Sequence, residues 1–337
     1  MKLKEFIPLR SGGTKEGVRS ISFKEFLKLL APPVVVSVYK GIKDKRNANE
    51  IQMKGQTLGW SGNYTSWEEA KKEGTGYDHP AILEKVKNSL LKVKNGEAMH
   101  ERDSVLFDQV QNSFPLLAGL MWIAAQNNGE LGLIDFGGSL GSSFFQNRLF
   151  LKHLKKVSWN IVEQPGFVKT GRDYFENDRL EFFYSIEECL SSKSAEAILL
   201  SGVLQYLEEP YRLIEKILSF KFKFIIIDRT SFIEANNDII TVQRTPPEIY
   251  EATYPAWFFD RSKMMEKLLC DYELMAEFDC AITESIELNG CRAKWQGFIL
   301  KRKTNELPRA EALGILGQRP KMPPLRSRRP FIPGLRA

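Results

Sequence analysis

The chain has 337 residues, of which 43% are hydrophobic and 27% charged, a composition typical of a globular protein with a sizeable buried core. Its formal net charge of +6 resides wholly in residues 308–337, which hold seven cations, one anion and six of the 16 prolines. Because such a segment buries too little apolar surface to fold, we predict a disordered basic tail over residues 304–337 and expect no nucleic-acid partner.

The sequence contains no recognisable metal-binding or targeting motif. Its four cysteines form no C-x-x-C pair and its three histidines are not clustered, so no metal site is expected. The first residues lack the apolar core of a signal peptide, and the longest nearly apolar stretch, Phe114–Ala125, is too short to cross a bilayer. These features predict a reduced, metal-free cytoplasmic protein.

Residues 1–102 are predicted to form an irregular, partly helical extension that packs on the core or on the site where the core binds its substrate. Apolar residues at helical spacing predict a helix over 22–30, ended by Pro32-Pro33, and valines between lysines follow it. Packing on the main domain explains this stretch, although a weak association with a membrane surface would use the same pattern. Further on, Ser66-Trp67-Glu68-Glu69 fits a capping box and predicts a short helix from Trp67.

Residues 103–303 are predicted to form one domain in which strands and helices alternate. A helix over 105–120, with an irregularity at Pro115, leads into the first strand. Strands are predicted at 131–136, 159–162, 180–184, 197–201 and 224–228, with helices between them near 141–156, 166–177, 186–191 and 208–219. This alternation indicates an α/β fold with a parallel sheet covered by helices on both faces.

The alternation ends after Asp228. A Pro-rich, aromatic insert over 241–259 precedes a helix over 262–270 and two strands, 272–278 and 296–302, that could pair antiparallel and close the sheet. Five parallel strands followed by an antiparallel pair form an unusual ending for a doubly wound fold, and this makes the ending informative.

The strongest local motif is a glycine-rich turn at the end of the first predicted strand. Leu133-Ile134-Asp135-Phe136 is followed by Gly137-Gly138-Ser139-Leu140-Gly141, so an acid ends the strand and glycines open the next helix. Glycines let the backbone approach a ligand closely, and a helix start presents free N–H groups. The spacing departs from the dinucleotide fingerprint G-x-G-x-x-G. It is closer to the acid-x-Gly-x-Gly-x-Gly loop of class I S-adenosylmethionine methyltransferases, with Ser139 in place of the middle glycine.

A second carboxylate, Glu163, ends the second predicted strand 28 residues after Asp135. Nucleoside-binding α/β proteins hold ribose at this position, because one carboxylate can accept hydrogen bonds from both the 2′ and the 3′ hydroxyl. We expect ribose binding by Glu163; a solvated acid that caps a turn is the alternative.

Two further strand ends carry polar residues. Ser201 ends the fourth strand, and Gln205 and Tyr206 follow it at positions that can face a ligand while their apolar neighbours fill the core. Asp228 and Arg229 follow the fifth strand and would face the same site, since ligands of open α/β sheets lie beyond the carboxyl ends of the strands. A purely structural ion pair between Asp228 and Arg229 fits the sequence equally well.

Related motifs are spread over most of the chain between residues 30 and 302. They are Trp60-x-Gly62-x-Tyr64-x-x-Trp67, Gly76-Tyr77-Asp78, Glu101-Arg102-Asp103-Ser104, 135–143, Val162-Glu163-Gln164, Leu204-Gln205-Tyr206-Leu207, Asp228-Arg229-Thr230, Thr241-Val242-Gln243 and Tyr254-Pro255. Together they resemble a family of bacterial class I methyltransferases that tend to accompany surface-polysaccharide (O-antigen-like) biosynthesis. The resemblance implies a Rossmann-like seven-stranded sheet, S-adenosylmethionine as cofactor, and O-methylation of a small-molecule or glycan acceptor such as a sugar or a polysaccharide precursor.

Each candidate site residue has an expected role. The cofactor-binding residues are expected to be Asp135, Gly137, Gly138, Ser139, Gly141, Glu163, Ser201 and Gln205. Tyr206, Tyr254 and Trp257 could stack on a sugar ring, with the aromatic insert as a lid or acceptor wall. Arg229 or Arg244 could hold a phosphate or a carboxylate of the acceptor. The base that takes the hydroxyl proton is expected to be Asp228, followed by His100 and Asp103.

Two other functions stay open at this point. An NAD-dependent or nucleotide-sugar-dependent enzyme could use the same sheet, but the glycine spacing and the lack of a Tyr-x-x-x-Lys pair disfavour it. A non-catalytic binding or scaffold protein would fit the serine at position 139 and the lack of an unambiguous base. Cofactor binding without methyl transfer would indicate the second of these functions.

Overall fold

The computed structural model describes residues 59–74, 80–102, 104–107, 109, 112–245, 252–280 and 285–304. The predicted helix over 22–30, the candidate base Asp103 and the predicted basic tail beyond residue 304 lie outside these residues. Within the described part of the chain, no helix combines the length and the apolar character needed to cross a membrane.

Strands and helices alternate along most of the described chain. The strands are β1 Gly59–Tyr64, β2 His100–Arg102, β3 Val105–Phe107, β4 Glu130–Phe136, β5 Lys156–Val162, β6 Leu180–Phe183, β7 Ala197–Ser201, β8 Phe224–Ile233, β9 Ile239–Arg244, β10 Thr253–Asp260, β11 Tyr272–Asp279, β12 Ile286–Leu288 and β13 Cys291–Arg302. The helices are α1 Trp67–Lys71, α2 Pro80–Asn95, α3 Phe114–Gln126, α4 Ser142–Leu151, α5 Pro165–Tyr174, α6 Ile186–Ser192, α7 Pro210–Phe220 and α8 Arg261–Leu269. A 3-10 turn covers Leu204–Tyr206.

Seven of these strands form the central sheet, in the order β6-β5-β4-β7-β8-β13-β11. The strands from β6 to β8 are parallel, whereas β13 runs antiparallel to both of its neighbours. The predicted five parallel strands with a closing antiparallel pair are confirmed, and with them the Rossmann-like sheet of seven strands. The chain adds β5 and β6 on one side of β4, and then β7 and β8 on the other side. This reversal opens a crevice between the carboxyl ends of β4 and β7, where open α/β sheets bind ligands.

Helices cover both faces of the central sheet. Side chains of α2, α3, α4 and α5 form one apolar core with the sheet, and side chains of α6, α7 and α8 form a second core on the opposite face. The strands between the two cores are apolar on both of their faces; in β8, for example, Phe224, Ile225, Ile226 and Ile227 are all fully buried. This is the pattern expected of parallel strands that are covered on both sides.

The chain before the first central strand differs from the prediction. Val105–Phe107 is a strand that pairs antiparallel with β2, rather than the start of a helix. Helix α3 begins only at Phe114 and has Pro115 in its first turn, where the N–H that proline lacks would have no helical partner. Pro115 therefore starts the helix instead of interrupting it. The hairpin of β2 and β3 spans the boundary predicted near residue 103, and the division into an extension and a domain stays a prediction.

The aromatic insert is largely β structure where it is described, and not a separate lid. Strand β8 continues to Ile233, beyond its predicted end at Asp228, and β10 pairs in parallel with this continuation. Strands β9 and β1 are added antiparallel outside β10. Alternating apolar residues in the insert, such as Ala256 and Phe258 with 0% exposure, are what pack these extra strands against the rest of the protein.

The described part of the predicted extension is built into this core. The capping box is confirmed, because the Ser66 hydroxyl accepts a hydrogen bond of 3.1 Å from the Glu69 N–H and α1 begins at Trp67. The Trp67 ring stacks on Trp257 of β10, with 5.9 Å between ring centroids. Helix α2 buries Ile82 and Leu90 in the same core as α3.

Candidate active site

The glycine loop after β4 requires backbone conformations that favour glycine. Gly137, Ser139 and Gly141 have φ values of 72°, 55° and 104°. A Cβ atom on Gly137 would lie 2.4 Å from a methyl carbon of Val203, and one on Gly138 would lie 2.6 Å from the carboxyl carbon of Asp135. The loop is therefore packed between β4 and the segment after β7. Ser139 adopts a left-handed conformation that costs a non-glycine residue about 1 kcal/mol.

Asp135 is a buried carboxyl group at the end of β4. Its Oδ2 accepts a hydrogen bond of 3.0 Å from the indole N–H of Trp159 on β5. Burial raises the pKa of Asp135 to about 7, and the neighbouring carboxylates of Glu163 and Asp228 act in the same direction, against the Trp159 hydrogen bond and Arg229. The side chain thus titrates near neutral pH.

Glu163 ties the end of β5 to the glycine loop. Its Oε1 accepts a hydrogen bond of 3.2 Å from the Ser139 N–H, and its Oε2 accepts one of 2.7 Å from the Gln164 N–H. The carboxylate lies beside the loop, where ribose binding would place it, and it also closes the turn as the alternative interpretation requires. The prediction that it binds ribose stays a prediction.

The segment after β7 completes this end of the crevice. Val203 contacts the glycine loop, and Gln205 donates a hydrogen bond of 3.0 Å from Nε2 to the Arg229 carbonyl. The Oε1 atom of Gln205 is buried and has no hydrogen-bond partner. A buried acceptor of this kind is costly unless a ligand or water supplies a donor.

These groups fit a nucleoside cofactor. Glu163 lies beside the glycine loop and can accept from hydroxyls, and the Gln205 Oε1 atom is an acceptor that lacks a donor among the described residues. Asp135, Ser139 and Glu163 were all predicted as cofactor ligands, and the fold places them within one cluster at the carboxyl ends of β4 and β5.

A β-bulge sits where β8 stops pairing with β7. Gln296 of β13 pairs with Thr230, and Phe298 pairs with Ile227, so Asp228 and Arg229 together face the single residue between the two β13 positions. Arg229 has a φ of 50°, which is rare for a residue with a side chain. Bulges re-aim side chains near active sites. Here the extra residue brings two successive side chains, which would otherwise point to opposite faces, to the border of one cavity.

Hydrogen bonds fix both side chains of this bulge. Ser201 donates from Oγ to Asp228 Oδ2 over 2.7 Å, and Arg229 Nε donates to the same Ser201 Oγ over 3.1 Å. The Cys280 thiol donates to Asp228 Oδ1 over 3.6 Å and accepts the Arg229 backbone N–H over 3.2 Å. Burial raises the pKa of Cys280, so this thiol stays protonated and can act as a donor. The Asp228 carboxylate is therefore engaged by structural donors.

A cavity of about 30 Å³ lies next to the bulge and has room for a water molecule or a small group rather than a whole ligand. Its lining comes from the β2 strand, the starts of α3 and α4, the end of β7 and the middle of β8: His100, Glu101, Arg102, Ser113, Leu116, Ser142, Ser143, Gln146, Ser201, Asp228 and Arg229. Of the predicted site residues, His100, Ser201, Asp228 and Arg229 border this cavity.

His100 is the least satisfied polar side chain at this cavity. It is 3% exposed, its ring stacks on Phe107, and its Nε2 atom has no hydrogen-bond partner among the described residues. Burial, together with the positive charges of Arg102 and Arg229, lowers the pKa of His100 to about 4. The imidazole is therefore neutral at physiological pH, with an uncommitted buried nitrogen.

The remaining predicted acceptor residues lie outside this cavity lining. Tyr206 donates to Gln243 Oε1 over 2.9 Å and packs edge-on against the buried Tyr254. Arg244 forms an ion pair with Glu73 at 3.6 Å. The prediction that Trp257 presents its ring to a sugar conflicts with its packing. That ring stacks on Trp67 and Phe259, and its N–H donates to the Leu207 carbonyl over 2.9 Å, because β10 is part of the sheet.

Sequence reasoning missed the other side of the cavity. Glu101 is 1% exposed, accepts a hydrogen bond from the Ser142 hydroxyl, and also accepts one of 3.2 Å from the Ser104 N–H. Arg102 follows it in the hairpin, and Ser143 and Gln146 belong to the first turns of α4. The Glu101-Arg102-Asp103-Ser104 motif was the available signal, but nothing in the sequence alone placed it opposite β8.

Comparisons with known proteins give similarities of fold. No protein-family model matches the sequence, and no curated protein matches it. An S-adenosylmethionine-dependent methyltransferase from Clostridium acetobutylicum is 10% identical, with a TM-score of 0.37 over 58% of this chain and 93% of that one. The N-terminal domain of EvdMO1, solved in the presence of SAH and D-fucose, is 13% identical, with a TM-score of 0.39 over 66% and 97%. CalS10, an amino pentose methyltransferase from Micromonospora echinaspora, is 11% identical, with a TM-score of 0.36 over 56% and 90%.

Proposed function

We propose that the protein is an S-adenosylmethionine-dependent methyltransferase that methylates a hydroxyl oxygen of a sugar or of a polysaccharide precursor. The observation that carries the proposal is the cluster at the crevice: Asp135, the glycine loop and Glu163 meet there, joined by the bond from Ser139 N–H to Glu163. A small cavity lined by Ser201, Asp228 and Arg229 lies next to this crevice, and its position supports an acceptor site beside the cofactor site.

The cofactor, when bound, supplies a methyl group on a positively charged sulfur that is open to in-line displacement. The residues of the chain do the positioning, which is most of the work in such a displacement. Glu163 would accept hydrogen bonds from the nucleoside hydroxyls, and the hydroxyl and charged side chains of the cavity would contact one small polar group of the acceptor. The β2 residues His100, Glu101 and Arg102 form one wall of the cavity.

His100, rather than Asp228, takes the proton of the acceptor hydroxyl in this proposal. Asp228 already accepts hydrogen bonds from Ser201 and Cys280 and lies 3.7 Å from the Arg229 Nε. The His100 Nε2 atom has no hydrogen-bond partner in the part of the chain that the structure describes, and the neutral ring can accept a proton there.

Calorimetric titration of the full chain with S-adenosylmethionine, S-adenosylhomocysteine and NAD tests the cofactor. We expect micromolar binding of the first two, weakened about 10-fold or more in Glu163→Gln, because a charged hydrogen-bond acceptor contributes about 1.5–3 kcal/mol. Glu130→Gln is the matched control, since Glu130 is an exposed carboxylate at the opposite end of β4. A folded protein that binds neither compound, or that prefers NAD, would contradict the proposal.

A further inference from the structure

We propose that the cavity between Arg102 and Arg229 binds an anionic group of the methyl acceptor, a carboxylate or a phosphate, beside His100. This inference rests on the proposed function for the identity of the reaction, but it concerns a separate subsite. It assigns the acceptor to the class of acidic sugars, namely uronic acids or sugar phosphates.

Two helix N-termini converge on this cavity. Ser113 and Leu116 belong to the start of α3, and Ser142 and Ser143 to the start of α4. Neither helix has an acidic residue in its first turn or a hydrogen bond from its N-cap side chain. The first N–H groups of a helix and its dipole favour a negative charge at this end.

Among the described residues that line the cavity, the formal charges cancel, so the two helix N-termini add a positive potential. Arg102 and Arg229 are balanced by Glu101 and Asp228, and both carboxylates already accept hydrogen bonds: Glu101 from Ser142 and Ser104, Asp228 from Ser201 and Cys280. The helix N-termini therefore give the cavity a positive potential that a bound anion would offset.

His100 is the second, independent sign of a ligand here. It borders the same cavity, is almost completely buried, and its Nε2 atom has no partner within the described residues. The charged groups that shift its pKa are the cations Arg102 and Arg229, so the local field at the ring is positive. An anion would offset that field and move the pKa of His100 towards its ordinary value of about 6.5, where a base is more effective at neutral pH.

Inorganic phosphate and acetate are suitable probes, titrated into the full chain with and without S-adenosylhomocysteine. We expect each anion to bind in the millimolar range and to bind at least fivefold more weakly to Arg102→Ala and Arg229→Ala. The matched control is Arg212→Ala, an exposed arginine of α7 that pairs with Glu209. Phosphate preferred over acetate would indicate a sugar phosphate, and the reverse order a uronic acid.

A spectroscopic measurement needs no arginine variant. His79 and His153 are replaced by glutamine, so that His100 is the only histidine, and its ring resonances are followed by NMR during a pH titration. We expect saturating phosphate or acetate to raise the pKa of His100 by at least one unit. An unchanged pKa, or equal anion binding by all three arginine variants, would overturn the inference.

One further outcome separates this site from the cofactor site. If Arg102→Ala and Arg229→Ala weaken S-adenosylhomocysteine tenfold but leave 5′-methylthioadenosine unaffected, the arginines hold the carboxylate of the cofactor, and the acceptor inference fails while the proposed function stands. If the wild-type chain binds no S-adenosylhomocysteine, the proposed function fails, and the anion titrations without nucleoside still decide whether the subsite exists.

Discussion

Replacement of His100 by asparagine is expected to lower kcat by about 10²–10³-fold while the affinity for S-adenosylhomocysteine changes less than twofold. A positioned general base typically contributes about this factor, and the asparagine amide keeps a polar group in the cavity but cannot take a proton. Transfer of a labelled methyl group to a panel of uronic acids and sugar phosphates measures the effect. His153→Asn is the matched control, since His153 is exposed after α4.

The pH dependence of the same reaction identifies the base. Burial lowers the pKa of His100 to about 4, so in the free enzyme the ring is neutral, and able to accept a proton, at every pH above that value. At saturating S-adenosylmethionine we therefore expect His100 to cause a loss of kcat/KM for the acceptor only below about pH 4.5, and we expect His100→Asn to abolish this acid limb. A variant that keeps the wild-type limb and most of the kcat would return the role of base to Asp228.

Asp135→Asn is expected to make the protein more stable at pH 8 and, at the same time, to lower its affinity for the cofactor. The pKa of Asp135 is raised from 3.8 to about 7 in the folded state, so its stabilising contribution is complete below pH 3.8 and is lost as pH rises through 7. Between pH 5 and pH 8 the wild type should lose about 2–3 kcal/mol that the asparagine variant retains. The Trp159 N–H can still donate to the asparagine oxygen.

Urea unfolding of both proteins at pH 5 and pH 8 measures this difference. Glu130→Gln on the same strand should show the pH dependence of the wild type, since Glu130 is exposed. An identical pH dependence in Asp135→Asn and the wild type would mean that Asp135 is already ionised at pH 5 in the folded protein. The expected trade of stability for binding is typical of functional carboxylates kept in apolar surroundings.

The sequence was sufficient for the elements whose signals are local. The five parallel strands are short apolar runs that end at glycine or polar turns, and the predicted strand over 197–201 matches β7 residue for residue. The Ser66 cap and the glycine turn after Asp135 were also predictable, because their geometry depends on residues within a few positions of one another.

Local signals misled where a residue type suits two structures. Val105 and Leu106 have helical spacing with the residues of α3, yet they pair with β2, because a short strand with buried alternate residues satisfies the same apolar pattern. Trp257 has an aromatic side chain of the kind that stacks on ligands, but its position in β10 makes its ring stack on Trp67 and Phe259 instead.

The sequence by itself determined the α/β class, the order of the strands along the chain and the set of polar residues at their carboxyl ends. Only the tertiary structure decided which of these residues share a cavity. His100 and Asp228 are 128 positions apart, and their meeting depends on a hairpin that folds back over the sheet and on a bulge opposite β13. Periodicity reports which face of an element is buried, but long-range pairing and packing decide what that face meets.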